Sequence, residues 1–385
     1  MRRLVALDSL RGVCAVFVVL LHINALSHFA DWTVVRQAGL FVDFFFVLSG
    51  FVIAYAYLDR IGDLRAGAVF LIRRIGRVWP LHAVVLALMV GSELVKFVLA
   101  QRGLPVHEAP FTGRYAPDAL LASLALVHSL GLYPSEVWNG PSWSISVEFW
   151  TYVAFAAVAL LARRIVLRTS AALILLGIAV LVMSGRYLDT SMQLGIFRCI
   201  YGFFAGVLAE RLYRAALRDR RAPPLASWLE AAAILAVYGL VAVCAVAPKL
   251  AMLVPPLFAV VVLTFAFERG RIAALLTTRP FVWVGDRSYA IYIVHALLIE
   301  QLNRVLLITD HLTGAHFIVP TTMPGEMGDA ISVHGPYVTD LVVLAYVGAV
   351  LLFAHLAHVT VEARGRAVFA RLARRVQPPV HAPTR

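Results

Sequence analysis

Ten apolar runs, each long enough to cross a hydrocarbon layer about 30 Å thick, constrain this chain more than anything else in it. They lie near residues 11–29, 38–58, 80–100, 142–162, 169–185, 193–212, 228–247, 249–267, 281–303 and 337–361. Lipid offers the backbone no hydrogen-bond partner, so runs of this length are helices that satisfy their own N–H and C=O groups. The reading is an all-α polytopic membrane protein, a bundle of about ten transmembrane helices. Only 15% of the 385 residues are charged, where soluble domains carry about a quarter. A shorter apolar stretch at 117–132 ends at Tyr133-Pro134. It is too brief to span comfortably and reads as re-entrant or interfacial, with an eleventh helix as the alternative.

The basic residues set the expected orientation. Arg2, Arg3 and Arg11, then the loops around Arg74, Arg164, Arg214 and Arg271, then the C-terminal arginines all fall on one side, 25 basic residues in total. The other side carries 6, among them Arg36, Arg102, Arg114 and Arg304. Such an imbalance predicts that the richer side and both termini are cytoplasmic. The net charge of +12 is therefore topology, and no nucleic-acid partner is expected; the partner is the lipid bilayer. Cys14, Cys199 and Cys244 sit in apolar segments without metal-ligand spacing, and no metal is expected. Met1-Arg2-Arg3 leads into a spanning helix without a small-residue cleavage site, so no removable signal peptide is expected. Residues 1–362 form the membrane domain and 363–385 a cytoplasmic, disordered tail.

Leu7-Asp8-Ser9-Leu10-Arg11-Gly12 opens the first run, and His22 follows Arg11 by eleven positions. On one helix the two are about 16 Å apart along the axis. An arginine at the membrane surface then lies below an imidazole near the middle of the layer. Asp8 suits the N-cap of that helix and pairing with Arg11. An ionisable group inside a membrane is costly and is a functional candidate by default.

Other stretches add chemistry. Asp43 and Ser49-Gly50 interrupt the aromatic run Phe41 to Ile53, and Ser-Gly permits close helix approach. Arg73-Arg74-Ile75-Gly76-Arg77-Val78-Trp79-Pro80 places Arg74 and Arg77 on one helix face. The cluster is either a plain topology signal or a phosphate clamp, since guanidinium forks pair with phosphate. Trp138 to Glu148 combines a polar turn, two tryptophans and a Glu one to two turns inside a helix, where it wants a cationic or imidazole partner. Ser288 to His295 puts two tyrosines and a histidine into a further run. Glu93 and Lys96 read as a local pair. His355 and His358 lack a third metal ligand.

Together these stretches resemble the acyltransferase-3 family of integral membrane acyltransferases. The residues that carry the resemblance are Leu7 to Gly12 with Arg11-x10-His22, Phe41 to Ile53, Arg73 to Pro80, Ser142 to Glu148, Ser288 to His295 and Glu362-x3-Arg366. It covers nearly the whole chain. Ser9 stands where the family usually has Gly, Phe149-Trp150 replaces a more polar pair, and Arg364 takes the Pro position of the family's Glu-x-Pro-x-Arg. Only about two dozen residues follow the last run, so the resemblance implies a stand-alone member, without the extracytoplasmic hydrolase-like domain that some members carry.

What the resemblance implies is O-acylation of a carbohydrate, glycolipid or other hydroxylated envelope acceptor, with acetyl-CoA or another acyl-CoA as donor, in a bacterial inner (cytoplasmic) membrane. His22 is then the general base on the acceptor hydroxyl, or a covalent acyl carrier. Asp8 and Arg11 organise the donor entrance, and Glu148 supports the His or a neighbouring cation. Arg73, Arg74 and Arg77, with Ser49, hold the donor; Ser142, Trp143, Tyr289 and His295 line the acceptor side. The competing class is a proton-coupled transporter or flippase, in which buried His, Glu and Arg form a relay. Against it, the sequence has no inverted repeat. Oligomeric state is left open.

Overall fold

The computed structural model describes residues 3–106, 108–218, 225–321 and 328–376. Its long helices are α1 Val5–His22, α2 Phe41–Tyr57, α3 Leu64–Gln101, α4 Trp143–Leu161, α5 Val166–Met183 and α6 Gly195–Arg218. They continue with α7 Ala226–Cys244, α8 Val254–Ala266, α9 Arg279–Thr313, α10 Pro336–Ala357 and α11 Ala363–Val376. Nine helices among the described residues are long and apolar enough to cross a membrane, which makes this an all-α polytopic membrane protein. The expected run that falls short is α6, because it carries Arg198, Glu210, Arg211 and Arg214. Packing explains how it tolerates them. Arg198 grips Asp43 of α2 at 2.7 Å and also donates to the carbonyls of Gly39 and Thr190, while Arg214 pairs with Glu210 and Asp59. Removing one partner of a buried pair typically costs about 3–5 kcal/mol, so Asp43 and Arg198 fix α2 against α6.

Those two helices form the centre. The spanning window of α2 is 67% buried, against 22% for α5 and for α7. Peripheral helices turn Leu175, Leu176, Leu235, Leu344 and Leu352 outward, as lipid-facing surfaces should. Small residues let backbones meet at two places. There is no room for a methyl on Gly50 against the Phe203 carbonyl, or on Gly206 against the Val47 carbonyl, where α2 crosses α6. Where α1 crosses α9, a Cβ on Gly12 would stand 2.6 Å from the Gly285 nitrogen, and one on Gly285 would stand 2.6 Å from the Asp8 oxygen.

Helix ends follow local chemistry but depart from the expected boundaries. α1 begins at Val5 and stops at His22, so His22 is its last residue and not a mid-helix group. Asp8 is not the N-cap. Leu4 holds that position without a side-chain bond, and the Ala6 N–H is met instead by Glu268 at 2.9 Å. At α3 Asp63 does cap, accepting from Ala66 N at 2.7 Å; the helix then runs through Pro80 to Gln101, far longer than its apolar run. α9 likewise continues into the expected outer loop before Gly314, at φ +66°, ends it. β1 Ile318–Thr321 and β2 Gly328–Ile331 then pair antiparallel, and Ala25 bridges to Ile331. The stretch expected to be re-entrant holds only the short helix Pro117–Leu124.

The expected disordered tail is the largest difference. After a π-helical turn at His358–Glu362, α11 is helical through Val376. It packs along the N-terminal half of α3, with Phe369 against Gly76 and Gly365 against Pro80. Residues 377–385 lie outside the described residues.

Candidate active site

A cavity of about 360 Å³ opens between α1, α2, α3, α4 and α9. α1 contributes Asp8 and Arg11, α2 Ser49 and Tyr57, and α3 Arg74 and Arg77; α4 adds Ser144, Glu148 and Tyr152, and α9 adds Ser288, Tyr289 and Tyr292. Seven side chains singled out from the sequence therefore meet there: Asp8, Arg11, Ser49, Arg74, Arg77, Glu148 and Tyr289.

Backbone geometry sets this convergence. The Gly12–Gly285 contact holds α1 so close to α9 that Arg11 Nε donates to Ser288 Oγ at 2.7 Å, while Arg11 Nη2 lies 3.3 Å from Asp8 Oδ1. Asp8 also accepts from Arg3 Nε at 2.8 Å. On α3, three residues bring Arg74 and Arg77 back to one face. Arg74 donates to the Tyr57 hydroxyl at 3.3 Å and lies over its ring. Its Nε is buried and has no hydrogen-bond partner among the described residues. Tyr289 donates to the Val78 carbonyl, and Ser49 Oγ lies 2.9 Å from the Tyr152 hydroxyl. Three guanidinium groups and the two carboxylates of Asp8 and Glu148 line this space. The lining has an excess of donors, the pattern that suits an anionic ligand.

Tyr292 also lines the cavity, and its hydroxyl donates to the Pro141 carbonyl and receives a bond from Ser144 Oγ, each at 2.9 Å. The Tyr292 ring lies 5.8 Å from that of His295, and His295 lies 4.8 Å from His22, edge to face. His22 is exposed at the end of α1. Its Nδ1 is 2.8 Å from the Val18 carbonyl. A carbonyl only accepts, so Nδ1 carries the proton, and in the neutral ring Nε2 presents a lone pair. His295 is fully buried.

Five expected site residues do not line the cavity: His22 and His295, and also Arg73, Ser142 and Trp143. Arg73 lies off the Arg74–Arg77 face and does not line it. Ser142 Oγ is 3.2 Å from His128 Nε2, and Trp143 packs between the Arg198 guanidinium and Phe46. Sequence reasoning in turn passed over Tyr57 and Tyr152. Tyr152 had a usable signal, four residues after Glu148 and so on the same helix face. It also missed His82 and His128, buried rings 6.3 Å apart. Burial first, and the His82 ring second, push His128 down to about 3. Glu362 binds His358 Nδ1 at 2.9 Å and Arg366 at 3.6 Å. His355 accepts from Arg287 at 3.0 Å.

Comparison with known proteins agrees with this architecture. A family model described as an acyltransferase domain matches residues 4–353. The acyltransferase MdmB of Streptomyces mycarofaciens is 27% identical over 341 residues, covering 79% of this chain and 81% of its own. Protein 2 in the picA locus of Rhizobium radiobacter is 34% identical over 165 residues, 40% of this chain and 81% of that protein. No solved structure matches. The family match spans every helix that lines the cavity as well as His22 and His295, and so the chain belongs to the acyltransferase-3 family of integral membrane acyltransferases.

Proposed function

We propose that this acyltransferase moves an acyl group, acetyl foremost, from acyl-CoA to a hydroxyl of a carbohydrate, glycolipid or other envelope acceptor. The observation that carries the reading is the cavity itself, where Arg11, Arg74 and Arg77 converge and Arg74 Nε is buried without a partner. That donor set fits the phosphates of a CoA head, which guanidinium forks bind in bidentate fashion. The donor supplies an activated thioester. The chain supplies the rest: Arg74 and Arg77 hold the head, Arg11 is kept in place by Asp8 and Ser288, and Tyr57 and Tyr289 narrow the space beyond.

His22 acts as the general base. Its Nδ1–H is fixed on the Val18 carbonyl, which leaves Nε2 free to take the acceptor proton. Arg11 and His22 lie on one helix about 16 Å apart, a span that suits a donor held at one membrane face and an acceptor presented toward the other. The basic-residue bias supports a cytoplasmic donor side, with both termini cytoplasmic in a bacterial inner membrane. Purified chain should release free CoA thiol from acetyl-CoA when an envelope glycan fraction is present. A proton-coupled transporter would consume no thioester, and an absence of thiol under those conditions would overturn the reading.

A further inference from the structure

α11 carries five arginines, Arg364, Arg366, Arg371, Arg374 and Arg375, and no acidic residue. Among the described residues only Arg366 has a carboxylate partner, Glu362. Gly365, Phe369 and Ala373 recur every four residues and set the packed face; Gly365 meets Pro80 and Phe369 meets Gly76 of α3, and Ala373 is fully buried. The other side is mixed. Val368 and Leu372 are 51% and 40% exposed, and at about 100° per residue Arg364, Arg371 and Arg375 lie beside them around the helix. Such a face suits neither hydrocarbon, where unpaired guanidinium groups are costly, nor bulk water, where the two apolar side chains gain nothing. The headgroup boundary of a bilayer suits both. Packing holds α11 at that level. In the half of α3 on which it lies, a Cβ on Gly67 would stand 3.6 Å from Leu160, and Phe70 packs on Phe155. Leu160 is near the end of spanning helix α4, just before Arg163 and Arg164.

We propose that α11 is a membrane-surface helix that binds anionic phospholipid. Arg364, Arg371, Arg374 and Arg375 meet lipid phosphates, while Val368 and Leu372 enter the acyl boundary. The proposal is independent of the acyl-transfer reading above. Arginines beside a spanning segment are drawn to an anionic leaflet, and a guanidinium fork pairs with a phosphate oxygen pair. A soluble acidic protein fits less well as the partner, because α3 and α4 keep α11 against the spanning bundle.

The test places a nitroxide on Val368→Cys, Leu372→Cys or Ala367→Cys in the full chain, in nanodiscs of phosphatidylcholine and phosphatidylglycerol. All three positions are exposed, and the native Cys14, Cys199 and Cys244 are buried, so the label reports on α11 without disturbing its packed face. At 368 and 372 collisions with oxygen should exceed those with an aqueous nickel chelate, and at 367, among the arginines, the reverse should hold. In native mass spectrometry, replacing Arg371, Arg374 and Arg375 together with Gln should weaken phosphatidylglycerol binding by about five-fold or more and leave phosphatidylcholine retention unchanged. Labels at 368 and 372 as open to the nickel chelate as the label at 367 would overturn the proposal and leave that face to a soluble acidic protein. That result needs no arginine variant to fold. Phosphatidylglycerol binding unchanged in a folded triple variant would overturn it as well.

Discussion

Arg73, Arg74 and Arg77 are alike in composition and differ only in direction, and direction decides what each can do. A residue step on a helix turns by about 100°, so Arg74 and Arg77 face the cavity and Arg73 does not. If the two grip phosphate, replacing both with Ala should weaken acyl-CoA binding, each lost charge-assisted contact costing about 1.5–3 kcal/mol. Arg77→Lys should recover only part, since an ammonium lacks the planar fork, and Arg73→Ala should leave affinity nearly unchanged. Calorimetric titration with acyl-CoA measures all three; equal losses at Arg73 and Arg77 would reduce the cluster to a topology signal. Charged residues and the histidine pattern were legible in the sequence because lipid makes them expensive. Ser142 and Trp143 lie off the cavity, against His128 and Arg198, and a polar or interfacial look in sequence does not tell a cavity-lining side chain from one in such contacts. The Tyr57 hydroxyl gave no signal of its own, since aromatic side chains are ordinary in membrane helices, whereas Tyr152 could have been found from its place four residues after Glu148.

The helices were legible where they are apolar and not where they continue as amphipathic ones. α3 begins sixteen residues before its apolar run, and α11 occupies part of an expected tail, because each finds its apolar partner in the other. Hydropathy along one segment cannot reveal a partner nearly three hundred residues away. That pairing places the arginine segment of α3 over the cavity, so the Gly76–Phe369 contact should matter for donor binding. Gly76→Ala forces a Cβ into Phe369; overpacking of this kind costs about 1–3 kcal/mol and should also weaken acyl-CoA affinity. Gly91→Ala is the internal control. It lies on the same helix with nothing within 4 Å of the added Cβ, and should stabilise by up to about 1 kcal/mol through helix propensity. Thermal unfolding in detergent, with and without acyl-CoA, reads both. Destabilisation by both variants alike would mean that α11 does not press on α3 in this way.

On the scale of the molecule, the class of fold follows from ten apolar runs, but their arrangement does not. α2 and α6 are central because of Asp43 and Arg198 and two glycine crossings, a relation that periodicity in either helix alone cannot show. The proposed orientation puts Arg74 on the cytoplasmic face and His316, next to the β1–β2 hairpin, outside. Cysteine accessibility labelling in intact cells should modify a position near His316 and spare one near Arg74, and the reverse pattern would invert the scheme. In the proposed mechanism the acyl donor occupies the cavity at one end of α1, and His22 at the other end takes the acceptor proton. The direct measurement is the rate of CoA thiol release from acetyl-CoA by His22→Ala chain in native membranes, compared with wild type at matched expression. Insertion and acyl-CoA binding should be preserved while transfer falls by about 10²–10⁴-fold. Transfer at a near-normal rate by a well-folded His22→Ala chain would contradict the account.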